Sequence, residues 1–132
     1  MPTAIEFRAA ALRLRAAADD ATLVGDRMWS IGADHGIRGG RLETLVDNAV
    51  AANAIGAGTL ARQCEGLAEL CLQRATVCDD YAMQLVTWQR SVDAWQLRRD
   101  AWLDRSDPHC APRAVGPRPR RPDPPFSWVE VG

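Results

Sequence analysis

The sequence predicts an all-α protein: an antiparallel helical hairpin with a very long second helix and a proline-rich tail. Three observations predict it. An alanine-rich amphipathic stretch follows Thr3, glycines cluster between positions 32 and 40, and no proline occurs from Arg41 to Arg105, a run dominated by Ala, Leu, Gln, Arg and Glu. At 132 residues there is room for one core and a tail. The expected division is a hairpin over 1–105 and a tail over 106–132.

Thr3-Ala4-Ile5-Glu6 has the pattern of a capping box, in which the threonine oxygen accepts from an early backbone N–H while the glutamate reaches back toward the cap. Ile5, Ala9, Leu12, Ala16 and Leu23 then recur at helical spacing, so the first helix is expected over 3–31 with an apolar stripe on one side. Gly32, Gly36, Gly39 and Gly40, around Asp34 and His35, supply the positive-φ freedom of a reversal and place the turn at 32–40. The second helix is expected over 41–105. Its weak point is Gly56 and Gly58, each costing about 1 kcal/mol relative to alanine, so a kink or break at 56–58 with Thr59 as a new cap stands beside a continuous helix. From Pro108 onward, Pro112, Pro117, Pro119, Pro122, Pro124 and Pro125 remove backbone donors, and 106–132 reads as disordered or extended alone, with 117–125 a soluble spacer or a polyproline II segment that could dock in an aromatic groove with arginines at its rim.

Composition excludes several functions. All 16 basic residues are arginine, set against 17 acidic residues, and the net charge of -1 gives no general pull toward nucleic acid. Abundant alanine with arginine in place of lysine is what a GC-rich bacterial coding sequence produces. Glu6, Arg8, Arg13 and Arg15 interrupt any apolar run after the first methionine, so the expectation is a cytoplasmic protein, or one exported without a cleavable signal. No stretch approaches the roughly 18 uninterrupted apolar residues of a membrane span. Membrane insertion is not expected.

A heptad repeat runs along the second helix. With Cys64 at position a, the a row contains Val50, Ala57, Cys71, Cys78, Leu85 and Val92, and the d row contains Val46, Leu60, Leu67, Tyr81, Trp88, Trp95 and Trp102, interrupted by Asn53 and Arg74. A repeat sustained over this length is a packing seam, because it keeps one face toward a neighbour. Length decides how much of it the first helix can cover: at 1.5 Å per residue a helix of roughly 65 residues spans about 95 Å, and one of 28 about 40 Å. Cys71, Cys78, Tyr81, Leu85, Trp88, Val92, Trp95 and Trp102 are therefore expected to lack cover within the chain and to bind a partner, tryptophan and tyrosine being frequent interface anchors.

This layout resembles the Trp-x-Gly helical hairpins of type VII secretion systems and their secretion-associated relatives in high-GC Gram-positive bacteria. The likeness covers residues 3 to about 95: an alanine-rich first helix, Trp29 and Gly32 as the turn motif, and a long second helix with Tyr81 late in it. Trp29 and Gly32 are separated by two residues where the family pattern has one, and Leu85 stands where the family's Tyr-x-x-x-Asp/Glu export signal has an acid. The resemblance implies a noncatalytic protein that pairs with another helical chain as a four-helix bundle, acting as partner, chaperone, targeting factor or substrate of the secretion machinery. A self-associating coiled-coil homodimer is the alternative.

Other chemistry finds little support. Cys64, Cys71 and Cys78 lie seven apart, about 10 Å along one helix, too far to bridge within it or to share one tetrahedral metal. They read as small core residues, with an interchain disulfide second. Neither a cofactor nor a metal is expected. His35 and His109 fall in the turn and tail, where solvation explains them, and with Asp19-Asp20 and Asp79-Asp80 they form no catalytic arrangement, so no enzyme is expected. The segment Phe126-Ser127-Trp128-Val129-Glu130-Val131 reads as a β-prone linear anchor that orders on a partner, with Phe126 and Trp128 in contact with it.

Overall fold

The computed structural model describes residues 3–105 and 115–129. Among these the regular elements are α1 (Ala4–Asp34) and α2 (Gly40–Leu103), and the chain divides into two compact units, Ile5–Ala75 and Thr76–Gly132 with Met1–Ala4. The all-α helical hairpin with a long second helix is the fold. α1 starts one residue after Thr3, as the capping pattern requires, but runs three residues past the expected end at 31. α2 is unbroken through Gly56 and Gly58, because two glycine penalties of about 1 kcal/mol each are small beside the helical hydrogen bonding of a 64-residue element. The break at 56–58 is absent.

Unit Ile5–Ala75 is the hairpin proper. Its reversal is shorter than the 32–40 expected, with positive φ at Gly36, Gly39 and Gly40. His35, expected to be merely solvated, is the brace of this turn. Its Nδ1 accepts from the Ile37 N–H at 2.9 Å, which leaves Nε2 to donate to the Asp47 carboxylate at 2.8 Å. Glu43 accepts from the Gly39 N–H and caps the start of α2.

The two helices meet through small residues. On α1 the buried positions, with half-buried Leu14, Met28 and Gly32, fall in two rows of seven-residue spacing, Phe7, Leu14, Ala21, Met28 and Ala11, Ala18, Gly25, Gly32. On α2 they are Val50, Ala57, Cys64, Cys71 and Ala54, Ala61, Ala68, Ala75. The seam of this unit thus uses positions a and e, and the expected a/d pairing gives way because alanine at e lets the backbones approach closely. Ala18, Ala21, Ala61 and Cys64 form one buried cluster with Leu14 packed on it. Gly32 is part of this contact and not of the reversal: a Cβ there would stand 2.8 Å from Val50 Cγ1. At the far end the Arg74 guanidinium lies over the Phe7 ring at 6.0 Å.

Unit Thr76–Gly132 joins the second half of α2 to the described part of the tail. Residues 116–124 carry no regular secondary structure, with positive φ at Gly116, and 125–128 turn, closed by the Val129 N–H on the Phe126 carbonyl at 3.0 Å. The tail was expected to be disordered or extended alone. Its described residues instead lie along α2 as a strap.

Candidate functional site

Two features stand out as candidates, one in each unit. The first is a ladder of side-chain donors on α2. Tyr81 Oη donates to the Pro122 carbonyl at 3.1 Å, Trp88 Nε1 to the Pro119 carbonyl at 3.1 Å, and Trp95 Nε1 to the Gly116 carbonyl at 3.0 Å. The donors advance by seven residues while the acceptors retreat by three. Seven residues of α-helix rise about 10.5 Å, and three residues of polyproline II about 9.3 Å, so the steps match within about 1 Å. The three-residue period is that of polyproline II, since a β-strand repeats every two residues and would turn alternate acceptors away. A proline-rich strand has carbonyls in excess of N–H groups, and the indoles and phenol supply the missing donors.

Cations flank the ladder. The Arg121 guanidinium lies over the Trp88 ring at 5.9 Å and that of Arg99 over the Trp95 ring at 5.6 Å. Cys78, Tyr81 and Val92 are buried, and Leu85, Trp88, Trp95 and Trp102 are half-buried. The expectation that these residues lack cover within the chain is corrected: for Tyr81, Trp88 and Trp95 the cover is the chain's own strap, which helix lengths alone could not reveal. Trp102 Nε1 is buried without a hydrogen-bond partner among the described residues. Phe126 and Trp128 do not form a β-strand; their rings stack at 5.3 Å, with Phe126 largely exposed, because the 125–128 turn brings residues two apart together. Glu130 and Val131 of the expected anchor, and His109, lie outside the described residues.

Cys64 and Cys78 are buried, Cys71 is half-buried, and all three are free thiols. Burial, with the neighbouring Asp79 carboxylate adding to it, pushes the Cys78 thiol above its ordinary pKa, which favours the unreactive neutral form. Among the described residues no His, Cys, Asp and Glu group could hold a metal ion, and no helix is long and apolar enough to cross a membrane.

The second feature is an outward apolar face on the hairpin unit. The stripe predicted on α1 does not face α2. At about 100° per residue, Ile5, Leu12 and Leu23 lie about 150° round the helix from the buried rows, and Ile5 is 77% exposed. On α2 the leucines Leu42, Leu45, Leu60, Leu67 and Leu70 form a second stripe, about 110° from the buried rows. Leu60 and Leu67 are each 52% exposed. They belong to the same d row as Tyr81, Trp88 and Trp95. Trp29 is exposed too, at the rim of a hollow of about 270 Å³ lined by Gly25, Ala54, Gly58 and Arg62 among others. Sequence periodicity picks out Ile5, Leu12 and Leu23 on α1 and Leu60 and Leu67 on α2 but assigns them to the helix–helix seam, and Leu42, Leu45 and Leu70 lie outside its heptad rows. Comparison with family models, with curated proteins and with solved structures gives no match.

Proposed function

We propose that the protein is a noncatalytic pairing module that docks another helical chain along the leucine face of α2, completing a helical bundle. One observation carries the reading: in unit Ile5–Ala75 the buried side chains are mostly alanine, with Phe7, Val50 and Cys64 the larger exceptions, while most leucines and isoleucines lie outside. Fully burying a leucine contributes about 1.5–3 kcal/mol, so covering the half-exposed Leu42, Leu45, Leu60 and Leu67 offers roughly 3–6 kcal/mol before the costs of association. Alanine interiors allow close backbone approach but recover little of this. A second apolar helix would recover it.

The hairpin with Trp29 ahead of Gly32 supports the resemblance to type VII secretion-associated hairpins, and in that setting the protein acts as partner or targeting factor for a larger secreted chain. The partner surface moves, however, from the late aromatic seam to the leucines of the hairpin unit. Substituting Leu60→Gln together with Leu67→Gln tests it, using co-expression with helical proteins encoded by adjacent genes and size-exclusion chromatography with light scattering. The wild-type chain should co-elute with its partner, and the double variant should elute alone with its helicity unchanged. A complex that survives the substitutions refutes the face. A homodimer of the chain alone, dispersed by the same changes, would assign the face to self-pairing.

A further inference from the structure

We infer that Tyr81, Trp88 and Trp95 form a docking groove for a polyproline II segment of another chain, and that residues 116–122 occupy this groove in cis as its built-in competitor. The bound strap defines the ligand chemistry. Every hydrogen bond it receives from the ladder ends on a main-chain carbonyl, at 116, 119 and 122, so these bonds read backbone geometry, and strap side chains enter only through packing. Pro119 and Pro122 turn toward α2 and are half-buried, while Pro117, Arg118 and Arg120 are exposed. Arg121 adds a guanidinium over Trp88. The ligand class is therefore a segment with prolines three apart and arginine immediately before the second.

The cis strap is held lightly enough to exchange. Its ladder consists of three neutral hydrogen bonds, the Arg120–Asp123 ion pair at 3.6 Å is fully exposed, and Val129 is the only buried side chain among its described residues. Beside the strap an open trough of about 460 Å³, bordered by Met83, Thr87, Trp88 and Ser91, leaves room for a ligand bulkier than the strap. Tethering makes the strap an efficient competitor, because its binding is intramolecular and its local concentration does not depend on that of the protein. A ligand in trans then binds with an affinity reduced by the fraction of chains in which the groove is open.

The test uses the full chain and a fluorescent synthetic peptide of the sequence 115–129, read by anisotropy. Pro119→Gly with Pro122→Gly keeps both carbonyls and every groove side chain but widens the freedom of the released strap, by about two- to fivefold in population for each substitution. Peptide affinity should rise about tenfold over wild type in this strap variant, whose far-UV circular dichroism should be unchanged. Adding Trp88→Phe or, as the milder change, Tyr81→Phe to the strap variant should weaken the peptide severalfold, because a donor is lost while the ring stays. A peptide of identical charge with glycine in place of its prolines should bind poorly. Equal affinity for wild type and strap variant, indifference to both donor removals, or equal binding of the glycine peptide would each overturn the inference.

Discussion

Replacing Gly25 and Gly32 by alanine, one at a time, should move stability in opposite directions. Both glycines lie on the α1 face packed against α2, and neither has positive φ, so alanine is free of backbone strain at each. Interior Gly→Ala gains about 1 kcal/mol of helix propensity. At Gly25 a new Cβ meets the Ala54 carbonyl oxygen and Ala57 Cβ at 3.6 Å, ordinary van der Waals contact, so the gain is kept. At Gly32 the new Cβ stands 2.8 Å from Val50 Cγ1. Val50 is buried and β-branched, with one strongly preferred rotamer in a helix, so it cannot swing aside cheaply. Overpacking of this kind costs about 1–3 kcal/mol, and the propensity gain fades two residues from the helix end, so the net change is a loss of up to about 2 kcal/mol. Urea unfolding followed by circular dichroism reads both variants. Gly25→Ala should raise the midpoint and Gly32→Ala lower it, and Val50→Ala added to Gly32→Ala should cost less than Val50→Ala alone. If Gly32→Ala proves as stable as Gly25→Ala, the close approach of α1 and α2 at that point is wrong.

Two further outcomes can be checked with the same unfolding assay. His35→Ala removes both hydrogen bonds that brace the turn and should cost about 1–2 kcal/mol; an unchanged midpoint would show that the glycines alone close the hairpin. Because the Cys78 thiol titrates higher in the folded chain than in the unfolded one, the folded state retains a proton that the unfolded state gives up, so stability should hold below about pH 9 and fall as pH rises beyond it. Cys78→Ala should flatten that decline, and alkylation of the native protein should reach half-buried Cys71 before Cys78.

Much of this fold was legible from the sequence because helix boundaries are local chemistry: Thr3 stands at the position just before α1, the glycines near 36–40 reverse the chain, and the absence of proline carries α2 forward. Which faces meet was not legible. Hydrophobic periodicity weights leucine above alanine, and so it picked Ile5, Leu12 and Leu23 as the packing stripe, whereas close backbone approach selected Ala11, Ala18, Gly25 and Gly32. The strap escaped for a different reason. The sequence points to a polyproline II segment that could dock in an aromatic groove, but not to this chain's own aromatic row as the groove, although the three-residue spacing of Pro119 and Pro122 against the seven-residue spacing of Tyr81, Trp88 and Trp95 is present in the sequence, and equating the two rises pairs them. His35 was passed over because turn residues are usually wet, and nothing local announced that its ring would fold inward onto Asp47.

The alternation of proline and arginine in the strap has a practical consequence. Trypsin cuts after arginine but scarcely where proline follows, so the bonds after Arg118 and Arg121 are spared and the Arg120–Arg121 link is the single vulnerable arginine bond within 115–129. When opening and closing outpace the enzyme, the speed of that one scission is proportional to the share of molecules with the segment lifted. The protein thus carries its own one-bond gauge of detachment, readable by mass spectrometry without any label.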